Sequence, residues 1–95
     1  MEMTYDWLIH ARNSPELKQK IKDIINSCQN AELTYKDTHR ITFDTASKSV
    51  IVRPFSETSN FHYKIFNTKI TYRAVLKFID GNFEDILPSD IIWLD

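Results

Sequence analysis

Apolar positions change period once along the chain, from helical spacing in the first third to strict alternation from Ala31 onward. Trp7, Leu8 and Ala11 share one side of a short helix beginning at Tyr5 and ending at Arg12, with Thr4 as its cap. A second helix is better marked. Ser14-Pro15-Glu16 supplies an N-cap, a proline at the first helical position and an acid in the first turn. Leu17, Ile21, Ile24, Ile25 and Cys28 then form one apolar stripe, with Lys18, Gln19, Lys20, Lys22, Asp23 and Asn26 on the other side. This predicts a helix from Pro15 to Cys28 that lies on an apolar surface, with Cys28 inside the core.

The alternating region predicts antiparallel strands. Ala31, Leu33 and Tyr35 alternate with Glu32, Thr34 and Lys36, and Ile41 and Phe43 with Arg40, Thr42 and Asp44. A three-residue loop, Asp37-Thr38-His39, sets Tyr35 opposite Ile41 and Leu33 opposite Phe43. A two-residue loop would set them against Arg40 and Thr42, so the longer loop is expected. Thr45-Ala46-Ser47-Lys48 is the next turn. A strand from Ser49 to Arg53 follows, stopped by Pro54, with Val50 facing Phe43 and Val52 facing Ile41.

Phe55 to Asn60 forms a polar loop, and a hairpin around Asn67-Thr68 then sets Phe61, Tyr63 and Ile65 against Ala74, Tyr72 and Ile70. For Tyr72 to Ile79 the alternative is a helix stopped by Gly81. Its β-branched and aromatic content favours strand. Asp80-Gly81-Asn82 is the strongest turn signal, followed by a strand from Phe83 to Leu87, a break at Pro88-Ser89-Asp90 and a last strand from Ile91 to Leu94. The stretch VLKFIDGNFEDILPSDIIWL resembles the final strands of SH3-like or Tudor barrels, and the resemblance implies a fold and no function.

Composition narrows the chemistry. With one glycine in 95 residues, no dinucleotide fingerprint or Walker-type loop can be built. His10, His39 and His62 are isolated and Cys28 has no cysteine partner, so no metal site and no internal disulfide are expected. Cys28 lies at the negative end of its helix on an apolar stripe, a place that disfavours nucleophilic use. No catalytic constellation, enzyme activity or cofactor is expected. The first residues carry no basic region followed by a long apolar run, and no apolar segment is long enough to span a membrane, so a cytoplasmic protein is expected. Twelve Ile, six Asn and eight Lys against four Ala and one Gly is a skew of AT-rich coding sequences such as those of mobile elements and phages.

Charge is balanced overall, at −1, but segregated along the sequence. Residues 48–77 hold six cations against one acid, Glu57, whereas residues 80–95 hold five acids and no base. The first segment offers a basic, aromatic-bearing sheet face for nucleic acid, built from His62, Lys64, Phe66, Lys69, Arg73 and Lys77. The second offers Asp80, Glu84, Asp85 and Asp90 to a protein with a basic surface. Trp93 serves there either as a binding anchor or as a cover for the end of a barrel. The bland alternative is mutual neutralisation, with Lys77 opposite Asp85 across a hairpin.

The expectation is one α+β domain: helical over 1–28, then over 31–95 an antiparallel sheet of five or six short strands that can curl into a partial barrel. Its expected function is protein binding, as a stoichiometric inhibitor or immunity-type factor, with nucleic-acid binding as the alternative. An open edge strand also admits a homodimer.

Overall fold

In a computed structural model, residues 6–36, 39–54 and 67–94 are described. The chain opens with α1 (Asp6–Arg12) and α2 (Pro15–Ser27). Ser14 Oγ accepts the Leu17 amide at 3.3 Å and Pro15 takes the first turn, as the sequence implies. Ile21 is fully buried, with Leu17, Ile24 and Ile25 packed at the margin of the core. Cys28 departs from expectation and is exposed. The helix stops at Ser27, and Cys28 adopts a left-handed conformation, φ 56°, that takes its side chain off the stripe.

Strands β1 (Ala31–Tyr35), β2 (His39–Asp44), β3 (Ser49–Pro54), β4 (Asn67–Thr71) and β5 (Ile91–Leu94) form one antiparallel sheet in sequence order. Since β1 and β5 are its edges, the sheet does not close into a barrel. The β2–β3 register is the expected one, Phe43 with Val50 and Ile41 with Val52. The β1–β2 register is displaced by two residues, with Leu33 against Ile41 and Ala31 against Phe43. Alternation cannot separate registers two residues apart, because both keep the same side chains inside. Lys36 leaves the strand at φ 51°, and Tyr35 pairs with His39. His39 is therefore a buried strand residue, not a turn residue.

The largest correction lies after Arg53. The expected loop at 55–60 and the first arm of the expected hairpin, 61–66, lie outside the described residues. Asn67 and Thr68 are not a turn but the start of β4. Tyr72–Ile79 is helix α3, the alternative to the favoured strand. Its apolar residues Tyr72, Val75, Leu76 and Ile79 fall at i, i+3, i+4 and i+7, which outweighs their individual strand preference. Thr71 caps it, its hydroxyl accepting the Ala74 amide at 3.1 Å. At the other end the Asn82 amide donates to the Lys77 carbonyl and the Gly81 amide to Phe78, with Gly81 at φ 84°. Asp80-Gly81-Asn82 thus ends a helix instead of turning a hairpin. Phe83–Asp85 and Pro88–Asp90 are single 3-10 turns, so the expected strand from Phe83 to Leu87 is absent, as is the barrel ending that it implied.

Paired residues of antiparallel strands share a face, so the register defines the layers. Ala31, Phe43, Val50, Ile70 and Ile91 form one row on the inner face; Leu33, Ile41, Val52, Thr68 and Trp93 form the next. Onto these rows pack Trp7, Leu8 and Ala11 of α1 and Ala74, Val75 and Ile79 of α3, all at most 2% exposed. The opposite face carries Glu32, Thr42, Ile51, Lys69 and Ile92 in one row, none of them buried. The architecture is an open α+β two-layer fold.

The two helix ends predict stability changes of opposite sign. No atom lies within 4 Å of the place a Cβ would take on Gly81, so Gly81→Ala is opposed by the backbone alone. It is expected to lower unfolding free energy by about 1 kcal/mol. Cys28→Gly relieves a left-handed non-glycine residue and is expected to raise it by about 0.5 kcal/mol. Urea denaturation with an unchanged slope checks both.

Candidate functional site

One carboxylate, Asp90, gathers donors from the chain between Thr71 and Leu87. Asp90, with a side chain only 10% exposed, receives Arg73 Nη1 at 2.6 Å and the Leu87 amide at 2.9 Å on Oδ2. Its Oδ1 accepts the Thr71 hydroxyl at 2.9 Å. Thr71 therefore caps α3 with one lone pair and ties it to Asp90 with its proton. The Leu87 amide, helped by Thr71 and Arg73, holds the Asp90 carboxyl below its ordinary value of 3.8 against the opposing effect of burial. Arg73 also donates through Nη2 to the Asp85 carbonyl at 2.7 Å.

Other members of the acidic set are engaged too. Asp85 meets Lys77 at 3.5 Å, from a helix to a 3-10 turn and not across a hairpin. Asp80 meets Lys22 of α2 at 3.0 Å. Glu84 is exposed and makes no ion pair among the described residues. Trp93 is 46% exposed on β5, on the same face as its partner Thr68. Of the basic set, Lys69 stands on the outer face of β4 while Arg73 and Lys77 stand on α3, so these three share no sheet face. Alternation ends where the helix begins. His62, Lys64 and Phe66 lie outside the described residues. His10 is exposed on α1, its ring 6.0 Å from that of Tyr35.

Two surface features are apolar, and of their residues the sequence singles out Trp93 alone as a candidate contact. The first is an uncharged edge. Ile92 (49% exposed) and Trp93 (46%) point to opposite sides of β5, and Leu87 and Phe83 are exposed nearby in the chain. The second is an open apolar groove of about 320 Å³. Leu8 of α1, Ile70 of β4, Ala74 and Phe78 of α3 and Ile91 of β5 line it, and Phe83 and Ile86 complete its wall. Phe78 and Phe83 meet edge to face at 4.8 Å, and the Arg12 guanidinium lies over both rings, 5.6 and 4.9 Å from their centroids. Arg12, the last residue of α1, carried no sequence signal beyond a cation at a helix end.

Among the described residues no helix is long and apolar enough to cross a membrane, and no group of three or more His, Cys, Asp or Glu could hold a metal ion. The class defined is a small α+β domain with an open five-stranded meander, α3 inserted between its last two strands. Comparison with family profiles, curated proteins and solved structures returns no match.

Asp90→Ala is expected to cost about 2 kcal/mol of stability, because three donors lose one acceptor. Since the folded-state value of Asp90 is depressed, its contribution is complete above its unfolded value and disappears as pH falls through the folded one. The stability advantage of the unaltered protein over Asp90→Asn should therefore shrink below about pH 4, as read by denaturation at several pH values.

Proposed function

We propose that this chain is a protein-binding module that engages its target through the β5 edge. The observation that carries this reading is the contrast between the two edges of the sheet. β1 exposes Glu32 and Thr34, the polar protection that natural edges carry. β5 has the sequence IIWL, with no charge and with a large apolar side chain exposed on each face. Among the described residues no strand lies on its far side. An extended segment of a partner can add there by main-chain hydrogen bonds while Trp93 and Ile92 grip its two faces.

Such a module acts by occupying a surface, as stoichiometric inhibitors and immunity-type factors do. Glu84, Asp85 and Asp80 are exposed in the segment leading to β5 and favour a target with a basic rim. Asp90 is buried and serves the fold. Nucleic acid is the second reading, favoured by Arg40 and Arg53 standing opposite one another, with Lys69 on the same outer face.

The test is capture of partners from host-cell lysate by the tagged chain, with and without nuclease, alongside Trp93→Ala, Ile92→Lys and Arg53→Glu. A stoichiometric protein should survive nuclease and persist with Arg53→Glu. Trp93→Ala is expected to weaken its binding roughly 30-fold. Recovery of nucleic acid that needs Arg53, or a protein partner indifferent to both β5 changes, overturns the proposal.

A further inference from the structure

The helices pack on one face of the sheet, and the opposite face carries a pattern of its own. One of its rows runs Thr34, Arg40, Arg53, and the next runs Glu32, Thr42, Ile51, Lys69, Ile92. Arg40 stands directly opposite Arg53, a placement of like charges that costs stability in an antiparallel pair. Lys69, opposite Ile51, lies on the diagonal from Arg53. Glu32 is the one acid of these two rows, and it pairs with Arg40 at 3.4 Å. Arg53 and Lys69 meet no carboxylate among the described residues. Asp44, one row further on, accepts the Ala46 amide and the Ser47 hydroxyl of its own turn. The exposed acids Asp80, Glu84 and Asp85 follow α3, which belongs to the layer on the other face.

The charge on this face calls for an anionic partner, and the apolar residues among the cations select its kind. Ile92 is 49% exposed, and Ile51 and Leu94 are half-buried on the same side. No aromatic side chain stands in either row, so a nucleic-acid strand would find no platform for its bases and would set phosphates against isoleucines. An anionic bilayer meets both demands. Headgroup oxygens take the guanidinium and ammonium donors, while aliphatic side chains enter the boundary with the acyl chains.

We infer that the outer face of the sheet docks on an anionic phospholipid surface, with Arg40, Arg53 and Lys69 at the headgroups and Ile51 and Ile92 directed below them. The inference goes beyond the β5 reading and does not need it, since Trp93 stands on the inner face. A patch of so few cations binds reversibly, and salt weakens it.

The test is flotation of the full chain with vesicles of phosphatidylcholine alone and of phosphatidylcholine with about one-third phosphatidylglycerol, at low salt and at about 0.5 M salt. The chain should float with the anionic vesicles at low salt only. Arg53→Glu replaces a positive charge by a negative one and should weaken this binding roughly thirtyfold. Ile51→Ser leaves the charge unchanged and should weaken it about fivefold. Equal binding to the two vesicle types, indifference to salt, or no binding overturns the inference. So does an oligonucleotide that binds more tightly than the vesicles and displaces them, which assigns the face to nucleic acid. The two vesicle types compared on the unaltered protein decide the matter even if Ile51→Ser does not fold. Trp93→Ala should leave flotation unchanged while it weakens capture of a protein through β5, so the two readings fail separately.

Discussion

The Asp90 carboxylate gathers donors from three pieces of chain that otherwise have no reason to meet: the end of β4 at Thr71, the first turn of α3 at Arg73, and the Leu87 amide before β5. A nearly buried carboxylate demands such partners, since removing it from water unpaired is costly. The demand runs both ways. Thr71 can cap α3 and satisfy Asp90 at once only if the chain leaves the sheet at residue 71 and turns into helix. β5 then starts directly after Asp90 and lies antiparallel to β4, Ile91 beside Ile70. The placement of α3, the two 3-10 turns and the last strand depends on this one cluster.

Ion pairs take up three of the five acids of residues 80–95. Arg73, Lys77 and Lys22 take up Asp90, Asp85 and Asp80 at distances of 2.6 to 3.5 Å. The pairs on Asp80 and Asp85 are exposed and contribute little to stability. Their consequence is for recognition, because a carboxylate shared with a neighbouring cation presents a weaker field to a partner. What stands out on the surface is then apolar: the β5 edge with Ile92 and Trp93, and Phe83 beside Phe78 under Arg12. Both lie against elements that Asp90 positions.

Much of the first half was legible in the sequence because its signals are local. The Ser14 cap and Pro15 start of α2, the turn at 45–48 and the Phe43–Val50 register each follow from residues a few positions apart. Where two arrangements bury the same side chains, the pattern is silent. The β1–β2 register shows this, displaced by two residues with Ala31, Leu33, Ile41 and Phe43 still on their expected face. Cys28 failed for a related reason: the stripe marks a face, and only the helix end decides which residue leaves it. In the second half, Asp80-Gly81-Asn82 suits a hairpin and a helix C-terminus equally, and composition tipped the reading toward strand.

The sequence by itself determined the class of the fold, the inward-facing residues of the alternating strands and the absence of glycine-dependent phosphate loops, all of which rest on period and composition. Tertiary structure decided between helix and strand for 72–79, and it alone decided that Asp90 is interior and that Arg12 reaches Phe78 and Phe83. Each of those depends on contacts between residues far apart in the chain, such as Thr71 with Asp90 nineteen positions away. Local propensity carries a few tenths of a kcal/mol per residue, and a buried, fully bonded carboxylate outweighs it.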